Sequence, residues 1–200
     1  MNYVDFEQAV TILAQGGVLV APTDTLYGLI ARHDRPSALK RIVEIKGRDV
    51  GVPFPLLCSD PPMARGVSAA WPVGAEELVS NFWPGALTLV VTGGDEWAKE
   101  LRNENGGIGL RVPADDDLRK LIRRMGVPLI GTSANRHNEP APRYPEELDE
   151  DLLNQTDGVF KAPPPSMGMH STIVDLTVDP PALLRDGAIP FDEVLRHWHS

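Results

Sequence analysis

At 200 residues the chain can bury one substantial core and is short for two independently folding units of ordinary size, so a single domain over residues 1–200 is expected. A formal net charge of -9 opposes general binding to nucleic-acid backbones and restricts it to a local gathering of the few cations. Cys58 is the lone cysteine, which excludes an intramolecular disulfide and a cysteine-built zinc site and suggests a buried thiol in a reducing compartment. With neither an apolar run of membrane-spanning length nor a basic-then-apolar leader, no membrane association is expected and the cytoplasm is the default location.

Phe6, Ala9, Val10 and Leu13 recur at helical spacing and predict a first helix that Gly16-Gly17 ends. Val18 to Ala21 follows as a short strand. Pro22 forces the chain out of it, and Thr23-Asp24-Thr25 then offers its side chains to a ligand or to its own turn. Ser37 is the candidate cap of a second helix with Leu39, Ile42 and Val43 inward, which places Lys46 and Arg48 just beyond the last turn around the permissive Gly47. Pro53 to Cys58 and Ala86 to Thr92 read as strands, the latter introduced by the Trp83-Pro84-Gly85 turn.

Ile108 to Val112 is another strand, followed by a helix with Leu118, Leu121, Ile122 and Met125 on one face and Gly126 as its stop. Val127 to Ile130 is a strand that delivers Ser133-Ala134-Asn135 to a turn at the mouth of the sheet, where open α/β folds hold ligands. The polar stretch Arg136 to Pro145 is a candidate lid ahead of a short helix with Leu148 and Leu152 inward. Gly158 to Lys161, Thr172 to Leu176 and Ala182 to Arg185 supply late short strands between proline-rich loops. The alternation argues for an α/β domain, and the crowded late strands argue for antiparallel members in its sheet.

Several polar residues carry chemistry on this reading. Lys46 and Arg48 suit phosphate or carboxylate, Arg48 through its planar fork, and their competing role is a surface salt bridge. Ser133, Asn135 and Ser171 can donate to and accept from phosphate, ribose or base, or can cap a turn or strand. Thr23, Thr25 and Tyr27 can surround a substrate, or Asp24 can organise them into an Asx-type turn. Arg111 and Arg185 end apolar runs, where pairing with Asp115 and Asp186 is the plainer role. The acidic triplet Asp115-Asp116-Asp117 reads as a helix start, not a metal site, Asp24 at most as an outer partner of a metal, and Trp71 and Trp83 as packing anchors.

Taken in order, Pro22-Thr23-Asp24-Thr25-Leu26-Tyr27-Gly28, Lys46-Gly47-Arg48, Trp83-Pro84-Gly85-Ala86-Leu87-Thr88-Leu89, Thr132-Ser133-Ala134-Asn135, Ser171-Thr172-Ile173-Val174-Asp175 and Leu184-Arg185-Asp186-Gly187 resemble the threonylcarbamoyl-AMP synthase family in its short form, over nearly the whole chain. The resemblance implies a YrdC/RibB-like fold, a single twisted mixed parallel/antiparallel sheet with flanking helices and an open central cavity. It implies synthesis of threonylcarbamoyl-AMP and pyrophosphate from L-threonine, bicarbonate and ATP for the t6A modification of tRNA. ATP is then a substrate that brings Mg2+, with no protein-bound metal; tRNA-modification proteins are implied partners, and tRNA association is weak or indirect. The resemblance directs Thr23, Thr25, Tyr27, Lys46 and Arg48 to the amino-acid substrate, Lys46 and Arg48 also to catalysis, and Arg111, Ser133, Asn135, Ser171 and Arg185 to the nucleotide.

Two departures stand out. Val52 occupies the place of a second lysine common in the family, with Asp49 where proline is common, and Arg136-His137-Asn138-Glu139-Pro140 replaces a small serine-glycine step. They keep a second reading open, an ATP-, adenylate- or RNA-binding paralogue without catalysis.

Overall fold

The computed structural model describes residues 1–47, 53–136, 139–165 and 167–198. Strand β1 (Tyr3–Val4) leads into α1 (Phe6–Ala14), whose start is fixed reciprocally: Asp5 accepts the Gln8 amide, and the Gln8 side chain accepts the Asp5 amide. β2 (Val18–Ala21) matches its expected span. The following β3 (Gly28–Arg32) lies outside the expected elements, because its short Leu-Ile-Ala run directly follows the polar turn. α2 (Pro36–Lys46) begins with Pro36 in the first turn after Arg35, so Ser37 is inside the helix and does not cap it. Its end is the left-handed Gly47, making Lys46 the last helical residue, one position earlier than expected.

The expected strand at Pro53 to Cys58 contracts to β4 (Leu56–Leu57). α3 (Pro61–Val67), β5 (Ser68–Ala70) and α4 (Ala75–Phe82) occupy ground for which no element was expected. β6 (Leu87–Gly93) and β7 (Gly107–Arg111) fall within a residue of their expected bounds. α5 (Asp116–Met125) begins at Asp115, which accepts the Leu118 amide, and ends at left-handed Gly126, so the acidic triplet is a helix start as expected. β8 (Leu129–Ser133) runs three residues further than expected, because pairing with β3 carries it through Ser133, opposite Gly28. After α6 (Glu150–Leu153) come β9 (Val159–Phe160), β10 (Thr172–Asp175), β11 (Ala182–Arg185) and α7 (Phe191–Arg196).

Among the described residues one sheet takes the order β1-β9-β2-β3-β8-β4-β7-β6-β10-β11, with β5 paired to β6 outside that path. It is mixed. β1–β9, β2–β9, β4–β7 and β6–β10 are parallel, while β2–β3, β3–β8, β4–β8, β6–β7 and β10–β11 are antiparallel. Helices cover both faces. Val18, Val20, Leu29 and Ala31 share a core with Ala38, Leu39, Ile42 and Ile45 of α2. The alternate residues Leu19, Ala21, Ile30 and Leu57 join Ala9 and Leu13 of α1 and Leu118, Leu121, Ile122 and Met125 of α5. This second face has apolar cover over part of its area, and the remainder is open to a polar cleft.

Candidate functional site

A cleft of ≈ 240 Å³ lies on this second face, its floor formed partly by Ile30, Leu57 and Gly131. Most of its lining gathers at one end of the strands, as expected for the mouth of the sheet: Leu57, Arg111 and Ser133 end β4, β7 and β8, Gly28 opens β3, and Ser171 directly precedes β10. Gly131 keeps the floor low, since a β-carbon there would sit 2.5 Å from the Leu57 Cγ. Thr23, Thr25, Tyr27, Lys46, Arg111, Ser133, Asn135, Ser171 and Arg185 all line this one cleft. Arg48, with Val52, His137 and Asn138, lies outside the described residues.

The Thr-Asp-Thr turn is organised by Thr23, in place of the expected Asx-type turn around Asp24. Thr23 Oγ1 accepts the amides of Thr25 (3.1 Å) and Leu26 (3.2 Å), lies 2.8 Å from the Leu26 carbonyl, and is 2.8 Å from Thr25 Oγ1. The amides of Met167 and Gly168 donate to the Asp24 and Thr25 carbonyls at 3.0 and 2.9 Å, strapping a distant loop onto the turn. Tyr27 is buried beside it; its amide donates to the Pro142 carbonyl and its carbonyl accepts the Ala134 amide, both at 2.9 Å.

This turn holds Arg111, which the structure buries. Arg111 Nη2 donates to Asp24 Oδ1 at 2.6 Å, Nη1 to Thr25 Oγ1 at 2.9 Å and Nε to the Gly85 carbonyl at 2.8 Å. The expected pairing with Asp115 is thus replaced by one with Asp24, which sits 87 residues away in the chain and meets Arg111 through its Oδ1. Burial pushes the Arg111 guanidinium down from its ordinary value, and the Asp24 charge opposes the shift.

Lys46 reaches from the end of α2 to the end of β8. Its Nζ donates to the carbonyls of Ser133 (2.9 Å) and Asn135 (2.6 Å) and to Asn135 Oδ1 (2.7 Å). Ser133 Oγ donates to the same Oδ1 at 2.6 Å, and Asn135 Nδ2 donates to the Glu139 carbonyl. Ser133 is a strand residue, and Asn135 ties the following loop to β8.

On the opposite wall, Arg185 grips Ser171. Its Nε and Nη2 donate to the Ser171 carbonyl at 3.0 and 2.9 Å, and Nη2 also donates to Ser171 Oγ at 2.9 Å, in place of the expected pairing with Asp186. Ser171 Oγ is 2.8 Å from Thr88 Oγ1 on β6, a buried cleft residue that sequence reading passed over because it resembles any strand threonine. Desolvation and the nearby Arg111 lower the Arg185 pKa. His170, at the rim, is pushed down by burial and by Arg185 and Lys46, which favours its neutral form. Among the described lining residues the ionisable groups are thus three arginines, one lysine, a histidine held toward neutrality and the Tyr27 phenol, whose pKa burial raises, an anion-seeking cleft in an acidic chain. No group of three or more His, Cys, Asp or Glu side chains suited to a metal occurs among the described residues.

Cys58 is buried, and burial raises its thiol pKa, so it stands outside this chemistry. Trp83 is a packing anchor as expected, its Nε1 donating to the Leu87 carbonyl at 2.7 Å, and Trp71 packs 6.4 Å from it, ring centre to ring centre.

A family profile described as telomere recombination, covering Sua5, YciO and YrdC proteins, matches residues 11–187. The chain is 31% identical over 186 residues to the threonylcarbamoyl-AMP synthase of Pyrococcus abyssi, covering 93% of this chain and 55% of that protein. It is 31% identical over 194 residues to the threonylcarbamoyl-AMP synthase of Bacillus subtilis, covering 96% of this chain and 56% of that protein. The chain therefore spans about half the length of these two curated relatives. The crystal structure of P. abyssi Sua5 complexed with L-threonine superposes with a TM-score of 0.91 at 29% identity, over 98% of this chain and 60% of that one. That of Escherichia coli YciO superposes with a TM-score of 0.84 at 28% identity, over 96% of this chain and 97% of that one.

Proposed function

This chain belongs to the Sua5/YciO/YrdC family, and on that premise we propose that it is a threonylcarbamoyl-AMP synthase, a nucleotidyltransferase that joins L-threonine, bicarbonate and ATP and releases pyrophosphate. The observation that carries the reading is the convergence of Lys46, Arg111 and Arg185 on one cleft in a protein of net charge -9. Adenylation sets a carboxylate oxygen of threonylcarbamate against the α-phosphorus of ATP; the new P–O bond forms as the bond to pyrophosphate breaks. Both the attacking and the leaving group are anionic, so the step needs fixed cations around them.

In this reading Arg111 and Arg185 receive the nucleotide with Ser133, Asn135 and Ser171. Thr23, Thr25 and Tyr27 border the L-threonine subsite, and Lys46 and Arg48 act on the carboxylate and the reacting phosphate. Transfer is in line, with no enzyme-bound intermediate. Mg2+ enters with ATP and is held by phosphate and water oxygens. The threonine amine must be neutral when it attacks the bicarbonate-derived carbon, which desolvation in the cleft favours. The product would serve t6A modification of tRNA in the cytoplasm, handed on through modification proteins with weak or indirect tRNA contact. No helix among the described residues is long and apolar enough to cross a membrane.

A second reading is an ATP-, adenylate- or RNA-binding paralogue that does not make the adenylate, and Val52 in the place of the family's common second lysine favours it. Incubation with ATP, L-threonine and radiolabelled bicarbonate, followed by product chromatography, separates the two. Labelled threonylcarbamoyl-adenylate formed only when all three are present supports the synthase. ATP turnover unchanged by omission of threonine, or no labelled adenylate under stabilising conditions, overturns it.

A further inference from the structure

Three bonds to protein acceptors fix the Arg111 guanidinium, one each from Nε, Nη1 and Nη2. A guanidinium carries five N–H donors, so two are left, one on each terminal nitrogen. Arg111 is buried yet lines the cleft. A side chain so held has little rotamer freedom left to lose when a ligand arrives, and its two remaining donors suit two oxygens of one anionic group.

Asp24 is the charged member of this cradle. Its side chain is 5% exposed, its backbone lies in the turn knotted by Thr23 Oγ1, and its carbonyl accepts the Met167 amide. Thr25 completes the arrangement, accepting from Arg111 while hydrogen-bonded to Thr23. A rigid turn thus presents a carboxylate and a hydroxyl to two nitrogens of one guanidinium.

We propose that Asp24 is a positioning residue that aims the Arg111 guanidinium at an anionic group of the nucleotide, acting through Arg111 and without touching the ligand itself. This rests on the reading of the cleft as a nucleotide site and adds to it the residue that orients the inner cation. A carboxylate beside a phosphate site would be repulsive if it faced the ligand; here its Oδ1 is spent on Arg111. Replacement by asparagine keeps the shape and an acceptor oxygen but removes the charge, so the guanidinium is held by a neutral bond and gains freedom to rotate.

The test is calorimetric titration of the full chain with α,β-methylene-ATP and magnesium, for the parent, Asp24→Asn, Arg111→Lys and the double variant. Asp24→Asn should weaken binding by roughly tenfold or more, the scale on which buried charge pairs couple. In the Arg111→Lys background the same replacement should change affinity less than twofold, because the fork to be aimed is gone. A merely structural aspartate would weaken binding equally in both backgrounds, and that result overturns the proposal. So does Asp24→Asn binding within twofold of the parent, or a parent that binds no nucleotide. If Asp24→Asn does not fold, Asp24→Glu, which keeps the charge but displaces it by one methylene, is run through the same cycle with the same criterion. A parent that binds the analogue but makes no adenylate removes the synthase reading and leaves this test intact.

Discussion

Lys46→Met removes an ammonium group while keeping an unbranched apolar stem, and the structure predicts a large loss of stability before any ligand is added. Lys46 is 4% exposed and gives three short hydrogen bonds, to the Ser133 and Asn135 carbonyls and to Asn135 Oδ1. Asn135 Oδ1 keeps a donor in Ser133 Oγ, so the two carbonyls carry the loss. A hydrogen bond to a charged group contributes about 1.5–3 kcal/mol net, and the variant also escapes the cost of burying the ammonium. The balance is a destabilisation of about 2–3 kcal/mol, or a fall in Tm of roughly 5–10 °C for a chain of this size. Urea unfolding followed by far-ultraviolet circular dichroism, without nucleotide, measures it. Stability within about 0.5 kcal/mol of the parent, the range of ordinary surface substitutions, together with lost activity, would refute the bracing argument and return Lys46 to a purely ligand-facing role.

Three further outcomes are expected. Arg48→Ala should strongly reduce adenylate formation and Arg48→Lys should recover part of it, since a point charge cannot reproduce a planar fork; near-parental steady-state activity of Arg48→Ala would remove Arg48 from the catalytic assignment. Gly187→Ala should weaken ATP binding, because a β-carbon there would lie 2.5–2.6 Å from backbone atoms of His170, Ser171 and Thr172 and displace the serine that Arg185 grips; unchanged calorimetric affinity would count against it. Asp115→Asn should stabilise the protein at neutral pH. Burial chiefly, with Asp117, Asp24 and Asp116 adding repulsion, raises the Asp115 pKa, so the folded state holds that proton more tightly and stability falls as pH rises from the ordinary carboxylate range through the folded-state value. Asparagine keeps the bond from the Leu118 amide without the charge, and its advantage should vanish below about pH 3, where both forms are neutral; an equal advantage at both pH values would refute the linkage.

The parts of the fold that were legible in the sequence are those whose signals are local. Val18 to Ala21 is bounded by glycines and a proline, and Leu118 to Met125 by an acidic cap and a glycine stop, so span and face could be read without partners. What escaped was set by pairing. β3 is a short apolar run directly after a polar turn, and its identity as a strand comes from having β2 on one side and β8 on the other. The same pairing extends β8 through Ser133, while β4 is cut to Leu56–Leu57, the stretch that meets both β7 and β8.

The site followed the same division. The residues converging on the cleft were named from their chemistry and from family-like blocks, but their partners were assigned to near neighbours because a sequence offers near neighbours first. Arg111 beside Asp115 and Arg185 beside Asp186 are reasonable surface pairs, worth little in water. The folded chain instead matches Arg111 to Asp24 and Arg185 to Ser171, and both choices follow from pleat geometry. Arg111 is level with Leu57 on the neighbouring parallel strand, and Leu57 belongs to the cleft floor, so the arginine shares that face and must find a carboxylate over it. Asp115 caps α5 and is committed to the Leu118 amide. The turn between β2 and β3 supplies the alternative, because the β2–β3 hairpin returns the chain at Gly28 on the same sheet, two strands from β4. A buried cation on a half-covered face selects a partner by its height above the sheet, and sequence separation plays no part in that choice.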